Sequence, residues 1–148
     1  MIQCNVSDEA ININAVYGLI QNSSCGAQNL FTGTVRENNL GKKVTAVAYD
    51  AFVPLAIQTL KEIASEAQKN WGSGLKIFIQ HRLGKLNVGE TSVLIAVSAP
   101  HRDEAYKASR YIIEEIKVRA PIWKKEYYEN GETEWLKGHA LCQHDIVL

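Results

Sequence analysis

Three lysines stand around a helix-breaking proline in KVRAPIWKKEYYENG, residues 117–131. Lys117 lies four residues before Pro121, and Lys124 and Lys125 follow Trp123 directly. An ammonium group can hold an anion; desolvated, or set beside other cations, it can also act as a base or nucleophile. Lys117 falls in the last turn of a predicted helix, where the negative end of the helix dipole is by itself a structural reason for a lysine. The same dipole opposes a lowered pKa, so chemistry at Lys117 requires offsetting neighbours such as Arg36 and Arg102. After Pro121, strand alternation puts Ile122, Lys124, Glu126 and Tyr128 on one face and Trp123, Lys125 and Tyr127 on the other. Lys124 and Lys125 therefore cannot point into one pocket from a regular strand. Lys124 with Glu126 is the better site pair, Lys125 the better solvated or interface residue, and the aromatic positions read as packing.

Other groups suit an anion as well. His101-Arg102 follows Ser98-Ala99-Pro100 and opens a helix, where free N–H groups and the dipole favour negative charge. Decoration of a helix start is the plainer account of any one such pair. Arg36 ends the strand LFTGTVR, after Gly33, whose missing side chain lets a ligand approach the backbone; a solvated strand end would also explain it. A second pair, His81-Arg82, precedes Gly84 at a strand end. Several sharper motifs fail. His101-Arg102-Asp103 spells a kinase triplet without its glycine loop or D-F-G. Gly72-Ser73-Gly74 leads into a strand and so is no phosphate loop. Ser98 with His101 lacks a nucleophile elbow. His139-x-x-Cys142-x-His144 offers only three tightly spaced ligands. The expectation is no metal and no cofactor.

These residues must be positioned by a chain of 148 residues, 46% hydrophobic and 22% charged, expected to form one domain over 1–148. Sixteen basic residues balance sixteen acidic ones, which argues against a nucleic-acid or membrane-surface binder while allowing a local basic pocket. Cys4, Cys25 and Cys142 are odd in number and dispersed, so a reducing cytoplasm is expected, and the N-terminus has no signal-peptide pattern. IQCNV reads as a strand, ININAVYGLIQ as a helix, AQNLFTGTVR as a strand with a bulge at Gly33, and ENNLGKK as a mobile loop before the strand VTAVAY. Pro54 opens a helix with Ala56, Leu60, Ile63, Ala64, Ala67 and Trp71 on its apolar face. LKIFIQHRLG and TSVLIAVSA are strands joined by the turn-like KLNVGE. HRDEAYKASRYIIEEIKVRA is a helix ended by Pro121. Asn130-Gly131 then turns a C-terminal hairpin. The predicted class is α+β, a mixed, largely antiparallel sheet with packed helices.

With these elements in place, FTGTVR, HRLGKLNVGE, SAPHRDEAYKASRYIIEEIK and KVRAPIWKKE, in that order, resemble the large (catalytic) subunit family of molybdopterin synthase over about residues 26–137. The resemblance implies an α/β-hammerhead-like fold and a sulfurtransferase. It implies transfer of sulfur from the C-terminal Gly-Gly thiocarboxylate of a small ubiquitin-like subunit to cyclic pyranopterin monophosphate, forming the molybdopterin dithiolene. It also implies a homodimer within a heterotetramer. Lys117 and Lys124 match the family's catalytic lysines. Arg36, His101 and Arg102 match substrate-holding residues, and the Thr34-Val35 backbone with Lys125-Glu126 matches further contacts. The cysteines fall outside these motifs and read as structural, and ALCQHDIVL has no assigned role. Two rivals remain at this stage: a non-catalytic module binding a phosphorylated ligand through the same pocket, and an inactive scaffold.

Overall fold

The computed structural model describes residues 1–136. Its order is β1 (Ile2–Ser7), α1 (Ile13–Ile20), β2 (Ala27–Thr34), β3 (Asn38–Asn39), β4 (Lys42–Ala51), α2 (Val53–Trp71), β5 (Lys76–Arg82), β6 (Gly84–Asn87), β7 (Thr91–Ala99), α3 (Arg102–Arg119), β8 (Ile122–Tyr128) and β9 (Thr133–Trp135). The class is mixed α+β with sheets rich in antiparallel pairs, as the sequence predicts. The C-terminal His/Cys/His reading and ALCQHDIVL lie outside the described residues.

The first sheet runs β1-β5-β7-β2, with β1 parallel to β5 and the other pairs antiparallel. β5 and β7 are buried almost without interruption, because both faces of the sheet are covered. Strand alternation sends Phe78, Leu94 and Ala96 to Val16 and Ile20 of α1. It sends Ile77, Ile79, Ile95 and Val97 to the opposite face, where α2 contributes Leu60 and Ile63 and α3 contributes Ile112 and Ile116. Each such fully buried side chain contributes roughly 1.5–3 kcal/mol of transfer free energy.

The second sheet is organised on β4. Strand β8 pairs with one side of it, β6 and β3 with the other, and β9 closes the hairpin on β8. Two short strands depart from the sequence expectation. KLNVGE contains β6, formed by pairing Leu86 against Val47. ENNLGKK is a tight hairpin whose turn residues Leu40 and Gly41 both have positive φ, 49° and 78°, the pattern of a type I′ turn.

Helix ends follow local chemistry. Pro54 occupies the first turn of α2, and Gly72, at φ 134°, ends it. At the start of α3 the Glu104 carboxylate accepts the His101 N–H at 3.2 Å, while Lys117 and Arg119 sit in the last turn. Pro121 then turns the chain into β8. Among the described residues no helix is long and apolar enough to cross a membrane.

Candidate active site

A narrow cleft opens between the end of β2 and the second sheet. It is lined by Thr34, Val35 and Arg36 after β2, Asn38 and Asn39 of β3, Val47 and Tyr49 of β4, and Lys124 and Glu126 of β8. Antiparallel register explains the far wall: Tyr49 is opposite Lys124 and Val47 opposite Glu126, so all four share a face. The near wall depends on Gly33. The β2–β7 register shifts between Gly33 and Thr34, and a Cβ on Gly33 would lie 2.7 Å from Val93 Cγ1. Val35 is then anchored on both sides, its N–H donating to Glu90 O at 3.0 Å and its carbonyl accepting from Gly89 at 2.8 Å. Thr34 and Arg36 flank that fixed point.

The electrostatics are those of a cationic cleft built around one buried carboxylate. Glu126 is 1% exposed and accepts a hydrogen bond from Asn39 Nδ2 at 2.5 Å. Burial pushes the Lys124 ammonium below the ordinary lysine pKa, Arg36 and Lys117 push the same way, and Glu126 opposes them. Lys117, from the last turn of α3, thus stands within electrostatic reach of Lys124 from β8. Of the two cations the sequence sought near this site, Arg36 acts on Lys124. Tyr49 is buried, and burial raises its phenol pKa, with the Glu126 charge adding to this and a hydrogen bond to Ser92 opposing it.

Behind this wall the His81 ring meets Tyr49 edge-to-face, centroids 4.8 Å apart. Burial holds the His81 pKa down to about 4, and Nδ1 lies 3.0 Å from the Arg82 carbonyl, so Nδ1 carries the proton of a neutral ring. Arg82 pairs with Glu90 at 3.1 Å. The His81-Arg82 pair therefore serves the layer beneath the cleft.

One chain unites Thr34, Val35, Arg36, Lys117, Lys124 and Glu126. It does not bring His101 and Arg102 to them. Both are exposed at the opposite end of α3, about 22 Å from Lys117 at a rise of ~1.5 Å per residue. Lys125 lies on the other face of β8, its Nζ 5.3 Å from the Tyr127 ring centroid and 5.7 Å from that of Trp135. Asn39 and Tyr49 went unnoticed in the sequence: Tyr49 is one more apolar-face position of a strand, and a polar loop gives Asn39 no distinguishing mark.

The cleft holds about 30 Å³, far below the ~300–1,000 Å³ of pockets that enclose a drug-sized ligand. It suits an extended, anionic chain end better than a fused ring. A larger groove of about 470 Å³ runs between β2 and α3 past Phe31 and Ile113 to Lys117. The cleft itself offers an anion a place beside an amine, Lys124, that gives up its proton more easily than an ordinary lysine.

Comparison with known proteins agrees with the fold. The family model described as MoaE protein matches residues 6–119. The molybdopterin synthase catalytic subunit of Synechococcus elongatus is 46% identical over 95% of this chain and 86% of its own length. The crystal structure of molybdopterin synthase from Staphylococcus aureus superposes with a TM-score of 0.84 at 39% identity, covering 90% of this chain and 96% of that one. A complex of subunits 1 and 2 of molybdopterin-converting factor from Helicobacter pylori shares the fold, with a TM-score of 0.73 at 21% identity over 94% of this chain and 92% of that one.

Proposed function

The chain belongs to the MoaE protein family, and on that premise we propose that it is the catalytic subunit of a molybdopterin synthase. In this reading it moves sulfur from the C-terminal thiocarboxylate of a small ubiquitin-like subunit to cyclic pyranopterin monophosphate. The observation that carries the reading is Lys124, buried beside Arg36, Lys117 and Glu126 at the end of a cleft narrow enough for a peptide tail. The tail's thiocarboxylate and the substrate's phosphate are both anions, and Arg36 and Lys117 offset their charge where little water competes. In each of two transfers the thiocarboxylate sulfur forms a C–S bond to a side-chain carbon of the pterin as a C–O bond there breaks, the oxygen leaving as water or staying on the opened phosphate ester. Water then cleaves the acyl–sulfur bond, leaving the sulfur on the pterin and returning the tail as a carboxylate. A neutral Lys124 amine can take a proton in these steps and return it. The Helicobacter pylori complex of two subunits supports a partner of this kind.

His101 and Arg102 enter through the expected homodimer. They lie about 22 Å of helix away from Lys117 and face solvent, so a second copy supplies them to the cleft of the first. The substrate ring then sits at the cleft mouth, between the two copies, and Lys125 acts from the surface around it.

Single-turnover sulfur transfer with thiocarboxylated partner and cyclic pyranopterin monophosphate tests the reading. Wild type forms the dithiolene, while Lys117→Ala and Arg102→Ala homodimers do not. Mixing the two variants in equal amounts restores about a quarter of the activity, since random exchange makes half of the dimers mixed and each mixed dimer carries one intact site of its two. Failure of wild type to form product, with the fold intact and the ligand bound, would reduce the chain to a binding module. Failure of the mixture alone would retract the shared site.

A further inference from the structure

Asn39 carries no role in the reading above, yet it lines the cleft and donates a 2.5 Å hydrogen bond to its buried carboxylate. It belongs to the β3–β4 hairpin, whose strands pair at Asn38–Lys43 and Asn39–Lys42, with the Val44 N–H donating to Glu37 O at 2.7 Å. Its β4 arm is tied to the β8–β9 hairpin by the Glu129 N–H donating to Lys43 O at 3.0 Å and by Lys42, 3.9 Å from Glu134. The tip of this hairpin has Leu40 at positive φ and 69% exposed, a backbone choice that a β-carbon disfavours. Those ties hold the β4 arm; the β3 arm, which lines the cleft, needs its own contact to the body of the protein. The Asn39 side chain supplies one, reaching across the cleft to Glu126 on β8.

We propose that Asn39 is a positioning residue for the proposed reaction: its amide fixes the Glu126 carboxylate and thereby closes the β3–β4 hairpin over Lys124. The proposal rests on the sulfur-transfer reading for its catalytic meaning, although its geometry is independent of it. Two consequences for Lys124 share a sign. With the amide engaged, part of the Glu126 charge is directed at Asn39 and not at the lysine. With the hairpin closed, water is kept from the ammonium. Both favour the neutral amine. The groups facing Lys124 are Arg36 after β2, Lys117 of α3, Glu126 of β8 and Tyr49 of β4, and Asn39 is the neighbour that acts without a charge of its own.

The test reads Lys124 directly. Lysines are reductively methylated with ¹³C, the Lys124 signal is assigned by its absence in Lys124→Arg, and its chemical shift is followed against pH in wild type, Asn39→Ala and Asn39→Leu. The expected result is a titration about one pH unit higher in both variants, with the alkaline rise of the single-turnover rate displaced by the same amount. Asn39→Leu is close to asparagine in size and removes the donor without adding a charge that would itself act on Lys124. An unchanged Lys124 titration in both folded variants overturns the proposal, even if each is less stable. A displaced titration in a protein that transfers no sulfur upholds the positioning and sinks the sulfur-transfer reading instead.

Discussion

Arg119 and Glu66 form a two-pronged ion pair between α3 and α2, Nη1 to Oε1 at 2.6 Å and Nη2 to Oε2 at 2.9 Å. The Tyr111 hydroxyl donates to the same carboxylate, and Glu115 accepts from Arg119 at 3.0 Å. Arg119 stands two residues after Lys117, so this brace holds the helix end from which Lys117, the charge-offsetting lysine of the proposed mechanism, projects. Its planar fork matches the carboxylate in a way a lysine could not.

The hydrogen bond from Arg119 holds the Glu66 carboxyl down to about 2, from an ordinary 4.5. A carboxyl lowered in the folded state stabilises above its unfolded pKa, and that contribution is lost as pH falls from about 4.5 toward 2. Both side chains are about a third exposed, so solvent screening leaves about 1 kcal/mol at neutral pH. Arg119→Ala is expected to lose that amount in urea unfolding at pH 7 and to approach wild type near pH 2.5.

Lys124→Arg keeps the positive charge and the position, but arginine does not deprotonate. The variant is expected to bind the phosphorylated substrate with near-wild-type affinity while single-turnover sulfur transfer falls about 100-fold or more, the range of a lost acid–base group. Wild-type turnover in the arginine variant would remove the catalytic assignment and leave an anion-holding one.

Lys124 is held below the ordinary lysine pKa by burial first, then by Arg36 and Lys117. If its neutral amine is the active form, the rate rises with pH through a midpoint below 10.5, the ordinary value. Arg36→Ala removes a repelling cation, so the midpoint is expected to move to higher pH. A pH–rate profile under single-turnover conditions measures this, and a midpoint moving down would contradict the electrostatic account.

Gly33→Ala would place its Cβ 2.7 Å from Val93 Cγ1. Overpacking of this kind costs about 1–3 kcal/mol, and relief by backbone movement would displace the bulge that sets Thr34 and Arg36. A lowered melting temperature together with a raised KM is the expected pair of results.

The chain's own cysteines are not expected to carry sulfur. Cys25 is buried, and burial pushes the Cys4 thiol up to about 11, which keeps it protonated and a poor nucleophile at neutral pH. Cys4→Ala, Cys25→Ala and Cys142→Ala should each retain sulfur transfer from the thiocarboxylated partner.

By itself the sequence determined what is local. Spacing of Leu60, Ile63 and Ala67 defined α2, Pro121 placed the end of α3, and Asn130-Gly131 the last hairpin. Period-two alternation separated Lys124 from Lys125 before any coordinates, because successive strand side chains point to opposite faces. The tertiary structure decided what depends on pairing between distant segments. β3 and β6 are too short to carry a periodic signal and exist because β4 offers them an edge. Asn39 meets Glu126 across 87 positions, and only the packing of three elements around Lys124 sets its pKa. Sequence grouped His101 and Arg102 with Lys117 as one anion pocket; the rigid length of α3 holds them about 22 Å apart within a chain. Residue type and period are properties of a short stretch, whereas proximity and desolvation belong to the folded whole.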